Sequence, residues 1–323
     1  MGNGIRVLFL PHPYLKEPWE SDLIRAVGAR HELSFCDYKL PFDEQFKDVS
    51  VVIDFGGSMG TREMADAAQS IKLWQLLGTG FDHFDLEYWR SKKIPVANCA
   101  GEFSGVPLGE CAMMYILMLA RRWHATQDSL QKGILCVPGG QELEGRRLGL
   151  IGFGASARQL AKRARAFDMR VSVIDVREIS AAEQKEFGLE FAGKPEDLDQ
   201  VIGESDYLSL HLHLNDETRH TIDGRRLKLM KPTACLINVA RGALVDEGEL
   251  YTALIEGRIA GAGLDTFGQE PPDPNSPLLK LPNVVAMPHI AGVTDGTSRR
   301  RADCAAQNVE RIAAGLDPLY RID

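Results

Sequence analysis

An α/β fold is predicted by three features of the sequence. Short apolar runs of strand length alternate with helical segments along most of the chain, which favours parallel sheets with crossover helices. One such run is followed directly by a glycine-rich turn, Gly152-Phe153-Gly154-Ala155-Ser156-Ala157. A last helical segment, over 294–314, is long enough to return to the first half of the chain. We therefore expect two Rossmann-like lobes with doubly wound parallel sheets, the first of them discontinuous.

In the first lobe, apolar and β-branched runs predict a small parallel sheet of flavodoxin-like type. The expected strands lie at 5–10, 33–36, 51–54, 73–77 and 95–98. The expected helices between them lie at 19–29 and 62–68.

A helix over 107–123 is expected to open the second lobe, with Pro107 in its first turn, where a missing N–H costs nothing. The expected strands that follow lie at 148–151, 170–174, 206–211, 234–239 and 259–264. The expected helices lie at 158–167, 197–203 and 246–256. The chain is therefore expected to divide into 1–104 plus 291–323, and 105–290.

The turn after the strand at 148–151 carries the βαβ dinucleotide fingerprint. Gly152 allows the tight turn and Gly154 the close approach of a pyrophosphate, which would lie on the free amides at the helix N-terminus. Ala157 stands where the third glycine serves helix–strand packing, and the Ser156 hydroxyl is available to a phosphate.

Asp175, at the end of the following strand, is placed to accept hydrogen bonds from the adenosine ribose hydroxyls. Its charge would repel a 2′-phosphate, so NAD is favoured over NADP. Arg177, two residues further on, leaves NADP open.

Composition points to an ordinary globular enzyme. With 323 residues, 44% hydrophobic content and 25% charge, the chain is long enough for two cores. A net charge of −8 argues against nucleic acid or an anionic membrane as partner. The six cysteines show no zinc or CxxC spacing, so we expect no metal site and reduced thiols in a cytoplasm. No signal peptide is expected, and the longest apolar run, 111–120, is too short to cross a bilayer.

Three residues of the last third form a set suited to oxidising a 2-hydroxy acid. The guanidinium of Arg241 can hold a substrate carboxylate through paired hydrogen bonds. His289 can remove the hydroxyl proton while a hydride leaves the same carbon. Glu270, if it contacts the other ring nitrogen, favours imidazolium and fixes the tautomer.

The chain resembles the D-isomer-specific 2-hydroxyacid dehydrogenase family over nearly all of its length. The resemblance is carried by the run 148–157, by Met230-Lys231-Pro232 through Asp246, by Gly261-Ala262-Gly263-Leu264-Asp265, by Glu270-Pro271, by Pro288-His289-Ile290 and by Gly78-Thr79-Gly80-Phe81-Asp82. It implies NAD(H) as cofactor, a small 2-hydroxy or 2-keto acid as substrate and a homodimer. It also makes 1–104 plus 291–323 the substrate domain and 105–290 the NAD-binding domain.

The resemblance implies that Arg241 anchors the carboxylate, that His289 is the acid/base and that Glu270 supports it. Backbone amides near Thr79 and Gly80 would also meet the substrate carboxylate. Besides Gly152, Gly154, Ser156 and Asp175, the residues assigned to the cofactor are Ala155, His211, Leu212, Thr218, Val239, Ala240 and Asp265.

The chain departs from the family pattern at three places. Ala155-Ser156 replaces the common Arg-Ile, which matters little because backbone amides make those contacts. His213 stands at a position usually held by proline, and we expect it to be a partly exposed loop residue. Cys111 stands where histidine is common, and we expect both it and Cys99 to be packing residues.

The resemblance implies that the loop 55–60 borders the side-chain end of the substrate. Phe55 and Gly57 are the candidate substrate contacts in this loop. Phe55 and Met59 suggest a small or apolar substituent, as in glyoxylate, hydroxypyruvate, pyruvate or a longer 2-keto acid. The nearest arginine, Arg62, lies at the next helix start, and the sequence ends at Asp323 without a further segment. The position of the nearest arginine outside this loop and the end of the sequence at Asp323 both weigh against 3-phosphoglycerate as the substrate.

Two other classes stay open from the sequence. One is a nucleotide-sensing, corepressor-like binding protein on the same fold. The other is a dehydrogenase of phosphite or formate type.

Overall fold

The computed structural model describes residues 4–55, 60–82 and 84–323. The chain divides into two compact units, Met1–Phe103 with Val293–Asp323, and Ser104–Gly292.

The strands are short and, apart from the edges, buried. In chain order they are β1 (Arg6–Leu10), β2 (Glu32–Phe35), β3 (Val51–Asp54), β4 (Leu73–Leu76), β5 (Val96–Ala97), β6 (Arg147–Ile151), β7 (Arg170–Ile174), β8 (Leu189–Gly193), β9 (Tyr207–Leu210), β10 (Cys235–Asn238), β11 (Gly261–Leu264) and β12 (Val284–Ala286).

Helices connect the strands in both units. They are α1 (Trp19–Leu23), α2 (Phe42–Gln45), α3 (Arg62–Ala67), α4 (Leu86–Ser91), α5 (Gly105–Ala120), α6 (Trp123–Gln131), α7 (Ala155–Ala166), α8 (Ala181–Phe187), α9 (Leu198–Glu204), α10 (Gly224–Leu227), α11 (Glu247–Ile255) and α12 (Asp295–Ala313). A π-helical turn, Ile24–Gly28, extends α1.

Within its described residues, the first unit contains a five-stranded sheet in the order β2-β1-β3-β4-β5. The second contains a seven-stranded sheet in the order β12-β11-β10-β9-β6-β7-β8. The described strand pairs are all parallel. The strand order reverses direction at β6, between β9 and β7, which is where doubly wound sheets bind nucleotides. The predicted α/β fold class is confirmed.

The second unit has a hydrophobic layer on each face of its sheet. On one face, α5 and α7 pack around Tyr115, Phe153 and Leu160, all fully buried. On the other, α9 and α11 cover Leu236 and Leu250. Burial on both faces explains why the strands are short continuous apolar runs rather than alternating ones. None of the helices in the described ranges is long and apolar enough to cross a membrane.

In the second unit, two predicted helix boundaries differ from the observed ones by three residues. The helix expected to run to 123 ends at Ala120, because Arg122 takes a left-handed backbone conformation with φ of 51° and α6 then starts in a new direction. The helix expected from 158 begins at Ala155, directly after Gly154, so its first turn lies within the glycine-rich turn.

Candidate functional site

The candidate residues of the second unit follow the carboxyl ends of neighbouring parallel strands. Gly152 follows β6, and Asp175 follows β7. Arg241 lies in the loop after β10, Asp265 directly after β11, and His289 three residues after β12. Since parallel strands end at the same edge of a sheet, these predicted residues share one edge of this unit.

The nucleotide turn has the backbone that its motif requires. Gly152 has φ of 88°, and a Cβ there would lie 2.6 Å from the His211 carbonyl oxygen, so only glycine fits. A Cβ on Gly154 would meet nothing within 4 Å, which leaves its surface open to a ligand. Because α7 begins at Ala155, its first amides are free to bind a phosphate. The turn fits the pyrophosphate of a dinucleotide.

Asp175 is held in place by backbone amides. Its Oδ2 accepts from the Phe153 amide at 2.6 Å and its Oδ1 accepts from the Arg177 amide at 2.9 Å. An ionised carboxylate has about four acceptor positions, so each oxygen can still accept one further hydrogen bond. The side chain is oriented while it remains able to bind two ribose hydroxyls.

A partly buried histidine links the first turn of α7 to the sheet. His211 Nδ1 lies 2.9 Å from the Ser156 hydroxyl, and its Nε2 lies 3.0 Å from the Ser209 hydroxyl. Burial lowers the pKa of His211 to about 3, so the ring is neutral under ordinary conditions. The Ser156 hydroxyl, predicted to meet the cofactor, is therefore held by a neutral partner.

His289 and Glu270 form the pair that the sequence predicts. His289 Nδ1 lies 2.8 Å from Glu270 Oε2, and the other carboxylate oxygen accepts from the Phe267 amide at 3.0 Å. Burial alone raises the pKa of Glu270, but the contact with His289, the Phe267 amide and the charge of Arg241 outweigh it and lower that pKa. The carboxylate is thus charged at neutral pH and fixes Nδ1 as a donor, which leaves Nε2 as the nitrogen able to exchange a proton with a ligand.

The turn that carries His289 is built on Asp265. His289 has φ of 54°, a left-handed conformation that is uncommon outside glycine. Its amide donates to the Asp265 carbonyl at 2.8 Å, while the Asp265 carboxylate accepts from the amides of Ile290 and Ala291, each at 2.9 Å. Burial raises the pKa of Asp265, which is 1% exposed. The Asp265 carboxylate therefore holds the histidine turn, and its assignment to the cofactor stays a prediction.

The loop of Arg241 is fixed by a residue that sequence reasoning missed. Buried Asn238 accepts from the Ala240 amide at 3.1 Å and donates to the Arg241 carbonyl at 2.7 Å. A Cβ on Gly242 would lie 1.9 Å from the Phe267 carbonyl carbon, so the Arg241 loop presses directly against the loop that holds Glu270. Asn238 and Gly242 lie in the same run of sequence as Arg241, Asn238-Val239-Ala240-Arg241-Gly242, so the signals for both were present in the sequence.

Phe55 follows β3 in the first unit. Its ring packs against Trp19, with centroids 4.9 Å apart, and against His12 at 5.2 Å. Gly57 and Met59, predicted for the same loop, lie outside the described residues.

Thr79 and Gly80 lie in the loop after β4, the strand next to β3. The Thr79 carbonyl accepts from Asn98 Nδ2 at 2.7 Å, and its hydroxyl accepts from Arg301 Nη2 at 3.4 Å. This loop and Phe55 therefore share the carboxyl edge of the first unit's sheet.

The other predicted cofactor residues lie in two loops of the second unit. Leu212 and Thr218 belong to the loop after β9, where the Thr218 hydroxyl donates to the His213 carbonyl at 2.7 Å. His213 itself is exposed, as expected for a loop residue. Val239 and Ala240 follow β10 directly.

Cys111 is a packing residue, as expected. It lies in α5 and is 8% exposed, and burial raises the pKa of its thiol to about 12. The thiol therefore stays protonated and unreactive at neutral pH.

A cavity of about 480 Å³ lies elsewhere in the second unit. Tyr207 and Cys235, the first residues of β9 and β10, line it. It therefore opens at the amino ends of the strands, the edge opposite to His289, and is separate from the candidate site.

Comparison with known proteins identifies related sequences and structures. Residues 113–291 match the sequence model of the D-isomer specific 2-hydroxyacid dehydrogenase, NAD binding domain. A glyoxylate reductase of Thermofilum pendens is 37% identical over 262 residues, which cover 79% of this chain and 76% of the relative. A hydroxypyruvate reductase of Thermotoga maritima is 33% identical over 294 residues, 89% of this chain and 93% of the relative.

A solved structure extends the similarity to the whole fold. The crystal structure of D-lactate dehydrogenase from Aquifex aeolicus, complexed with NAD and lactic acid, superposes with a TM-score of 0.80 at 29% identity. The alignment covers 96% of each chain.

Fold, nucleotide turn and matches together define a nicotinamide-dependent oxidoreductase. The chain belongs to the D-isomer-specific 2-hydroxyacid dehydrogenase family. It interconverts 2-hydroxy acids and 2-keto acids with NAD or NADP.

Proposed function

We propose that the protein uses NADH to reduce a small 2-keto acid, either glyoxylate to glycolate or hydroxypyruvate to D-glycerate. The observation that carries this proposal is the 2.8 Å pair between His289 Nδ1 and Glu270 Oε2 at the carboxyl edge of the sheet. A histidine oriented in this way is suited to exchanging the hydroxyl proton of a 2-hydroxy acid. The relatives named as glyoxylate and hydroxypyruvate reductases support the choice of substrate.

His289 moves the proton in the proposed reaction. In reduction, the imidazolium donates the Nε2 proton to the carbonyl oxygen of the keto acid, and Glu270 stabilises the charged ring beforehand. In oxidation, neutral His289 accepts the hydroxyl proton at Nε2. The bound nicotinamide supplies or accepts the hydride at C2 of the substrate.

Arg241 is the proposed anchor of the substrate carboxylate. Its planar guanidinium can donate two parallel hydrogen bonds, which fixes the orientation of C2 as well as its position. Asn238 and Gly242 hold the Arg241 backbone against the Glu270 loop. Phe55, Thr79 and Gly80 of the first unit are retained as proposed substrate contacts. The first unit is accordingly the proposed substrate domain and the second the NAD-binding domain.

The cofactor residues are proposed from the fit of the nucleotide turn. The pyrophosphate would lie on Gly152, Gly154 and the first amides of α7, and Asp175 would accept from the ribose hydroxyls. A carboxylate at that position disfavours a 2′-phosphate, so NADH is the proposed physiological donor.

A substrate with a small, uncharged substituent is supported by the surroundings of Arg62. Its Nη2 lies 2.6 Å from Asp85 Oδ2, and its guanidinium stacks over the Tyr88 ring at 4.8 Å. The arginine closest in sequence to the substrate loop is thus already paired with a carboxylate. Its charge offers little to a substrate phosphate, which weighs against 3-phosphoglycerate.

A homodimer is proposed from an apolar stretch on α6 and the segment after it. Trp123 is 45% exposed and Leu135 is 76% exposed, and other large apolar side chains of this stretch are also exposed: Leu130, Ile134 and Val137. Exposed apolar side chains clustered in this way are typical of an association surface. Light scattering should give twice the 35.7 kDa chain mass, and Leu135→Asp should shift it toward the monomer.

A cytoplasmic location is proposed because all six cysteines, each in the described ranges, are free thiols.

The reaction and its substrate can be tested directly. Purified protein is mixed with NADH or NADPH and with glyoxylate, hydroxypyruvate, pyruvate or a longer 2-keto acid, and loss of reduced-nicotinamide absorbance is followed. Turnover of glyoxylate and hydroxypyruvate, faster with NADH, is expected. Turnover of the longer 2-keto acid alone would contradict the proposed substrate, and a preference for NADPH would contradict the proposed cofactor.

A further inference from the structure

Three charged side chains of the nucleotide-binding unit have no role in the proposed chemistry. Glu183 Oε1 accepts from Arg158 Nη2 at 2.7 Å and from Arg177 Nη2 at 3.2 Å, and its Oε2 accepts from Arg177 Nη1 at 3.1 Å. One carboxylate therefore binds two guanidiniums from two other elements, α7 and the loop after β7.

Both guanidiniums lie around the aromatic residue of the Gly152-Phe153-Gly154 turn. Arg158 is 5.7 Å and Arg177 is 6.0 Å from the centroid of the Phe153 ring, and Arg177 Nη2 also donates to the Phe153 carbonyl at 3.1 Å. Arg158 Nε is buried, and no partner for it is found in the part of the chain that the structure describes. The two cations are fixed beside the turn, and one of them retains an unused donor.

Glu183 is turned toward these arginines rather than used as a helix cap. Ser180 is the N-cap of α8, and its hydroxyl accepts from the Glu183 amide at 3.2 Å. In a capping box the glutamate side chain would return to the N-cap backbone. In α8, both oxygens of Glu183 accept from guanidiniums instead. Hydrogen bonds from Arg177 hold the pKa of Glu183 below its usual value, so the group is charged at neutral pH.

The cluster adjoins the residue proposed to bind the adenosine ribose. The Arg177 amide donates to Asp175 Oδ1 at 2.9 Å, and its Nε lies 3.8 Å from the same oxygen. Two carboxylates and two guanidiniums thus surround this position with a formal net charge of zero. A 2′-phosphate brings about −1.5 to −2 charges and needs cations that are not already neutralised.

We propose that Glu183 is a specificity-determining residue: by pairing with Arg158 and Arg177 it withholds both arginines from the 2′-phosphate of NADP. Without that carboxylate, the same two arginines form a site for the phosphate. This inference rests on the proposed NAD-dependent function, and it makes the preference for NAD a property of two carboxylates, Asp175 and Glu183, rather than of Asp175 alone.

The test compares Glu183→Gln with Glu186→Gln. Glutamine keeps the size of the side chain and removes its charge, and Glu186 is an exposed residue of the same helix, α8. Dissociation constants for NADH and NADPH are measured by fluorescence titration, and kcat/KM is measured for both with the keto acid that turns over fastest. Adenosine 2′,5′-bisphosphate and 5′-AMP serve as probes of the 2′-phosphate alone.

Glu183→Gln is expected to shift the NADPH-to-NADH affinity ratio about tenfold toward NADPH, the scale of one charge-assisted hydrogen bond in a partly exposed site. Glu186→Gln should leave the ratio unchanged. Adding Arg177→Gln to Glu183→Gln should remove most of the gain, and adding Asp175→Asn should enlarge it.

Two results would overturn the proposal. One is an equal ratio in Glu183→Gln and Glu186→Gln. The other is an equal loss of affinity for NADH and NADPH in Glu183→Gln, since that is the effect of a damaged α8. The binding ratio needs no turnover, so it still decides the role of Glu183 if the wild-type protein reduces none of the proposed keto acids.

Discussion

Replacing Glu270 by glutamine removes the charge of the pair with His289 but keeps the size of the side chain. The Phe267 amide donates to Oε1, so the glutamine carbonyl is expected to occupy that position and its NH2 group to face His289 Nδ1. Two donors cannot face each other, so Nδ1 loses its proton and the neutral ring carries its hydrogen on Nε2. The variant is therefore poor both as an acid and as a base.

The size of the effect follows from the geometry. At 2.8 Å, two unit charges attract by about 1.5 kcal/mol in bulk water and by about 6 kcal/mol at an effective dielectric constant of about 20. The side chains of His289 and Glu270 are 46% and 36% exposed, so the lower part of that range applies. A loss of about 1.5–3 kcal/mol, usual for a charge-assisted hydrogen bond, lowers kcat by roughly 10- to 150-fold.

The assay is keto acid reduction with saturating NADH, with NADH affinity measured separately. Glu247→Gln is the matched control, because Glu247 Oε1 accepts from the Gly268 amide of the same loop without touching His289. We expect a large loss of kcat in Glu270→Gln, a small one in Glu247→Gln, and unchanged NADH affinity in both. Equal losses in the two variants would refute the reasoning, since Glu270 would then only be holding the loop.

Three further predictions concern other parts of the site. Arg241→Lys should raise the KM for the keto acid by about 10- to 100-fold with NADH affinity intact, because lysine lacks the paired donors; an unchanged KM would contradict the anchor role. Asp265→Asn should lower Tm by roughly 4–10 °C and also lower kcat, because the amides at 290 and 291 lose a charged acceptor and the His289 turn loosens. Unaltered melting and rate would contradict this. His211 has a folded pKa of about 3, below its unfolded value of about 6.5, so the unfolded chain binds its proton first. Stability against urea should therefore fall between about pH 6.5 and pH 3, by up to about 1.4 kcal/mol per pH unit from this residue, and His211→Asn should flatten that dependence; identical slopes would count against it.

The sequence is most informative where chemistry and element boundaries coincide. The run from 148 to Asp175 predicts strand, turn, helix and strand because apolar runs, two glycines and an acidic residue occur at motif spacing, and all four elements are present. Residue type and resemblance predict His289 and Glu270 as a pair, and their atoms are 2.8 Å apart.

Elements with weak apolar patterns escape sequence-based prediction. α8 and β8 are absent from the expectation because the stretch is largely polar and β8 is a half-exposed edge strand with no continuous apolar run. α6 is absent from it because its sequence, WHATQDSLQ, has no apolar stripe and it follows the left-handed Arg122.

Contacts between loops are beyond the reach of sequence reasoning. The close approach of Gly242 to Phe267 and the hydrogen bonds of Asp265 to the amides of 290 and 291 depend on how adjacent strands are registered. The same is true of Glu183, whose two guanidinium partners come from different elements. These are tertiary facts, and residue spacing along the chain does not encode them.

The most direct test of the central claim compares wild type with His289→Asn in NADH-dependent keto acid reduction, with NADH binding measured on the same samples. The account predicts a fall in kcat of about 10²–10⁴-fold, the usual contribution of a general acid, with NADH affinity unchanged. If His289→Asn keeps most of the wild-type rate, the proton comes from another group and the assignment of the site is wrong.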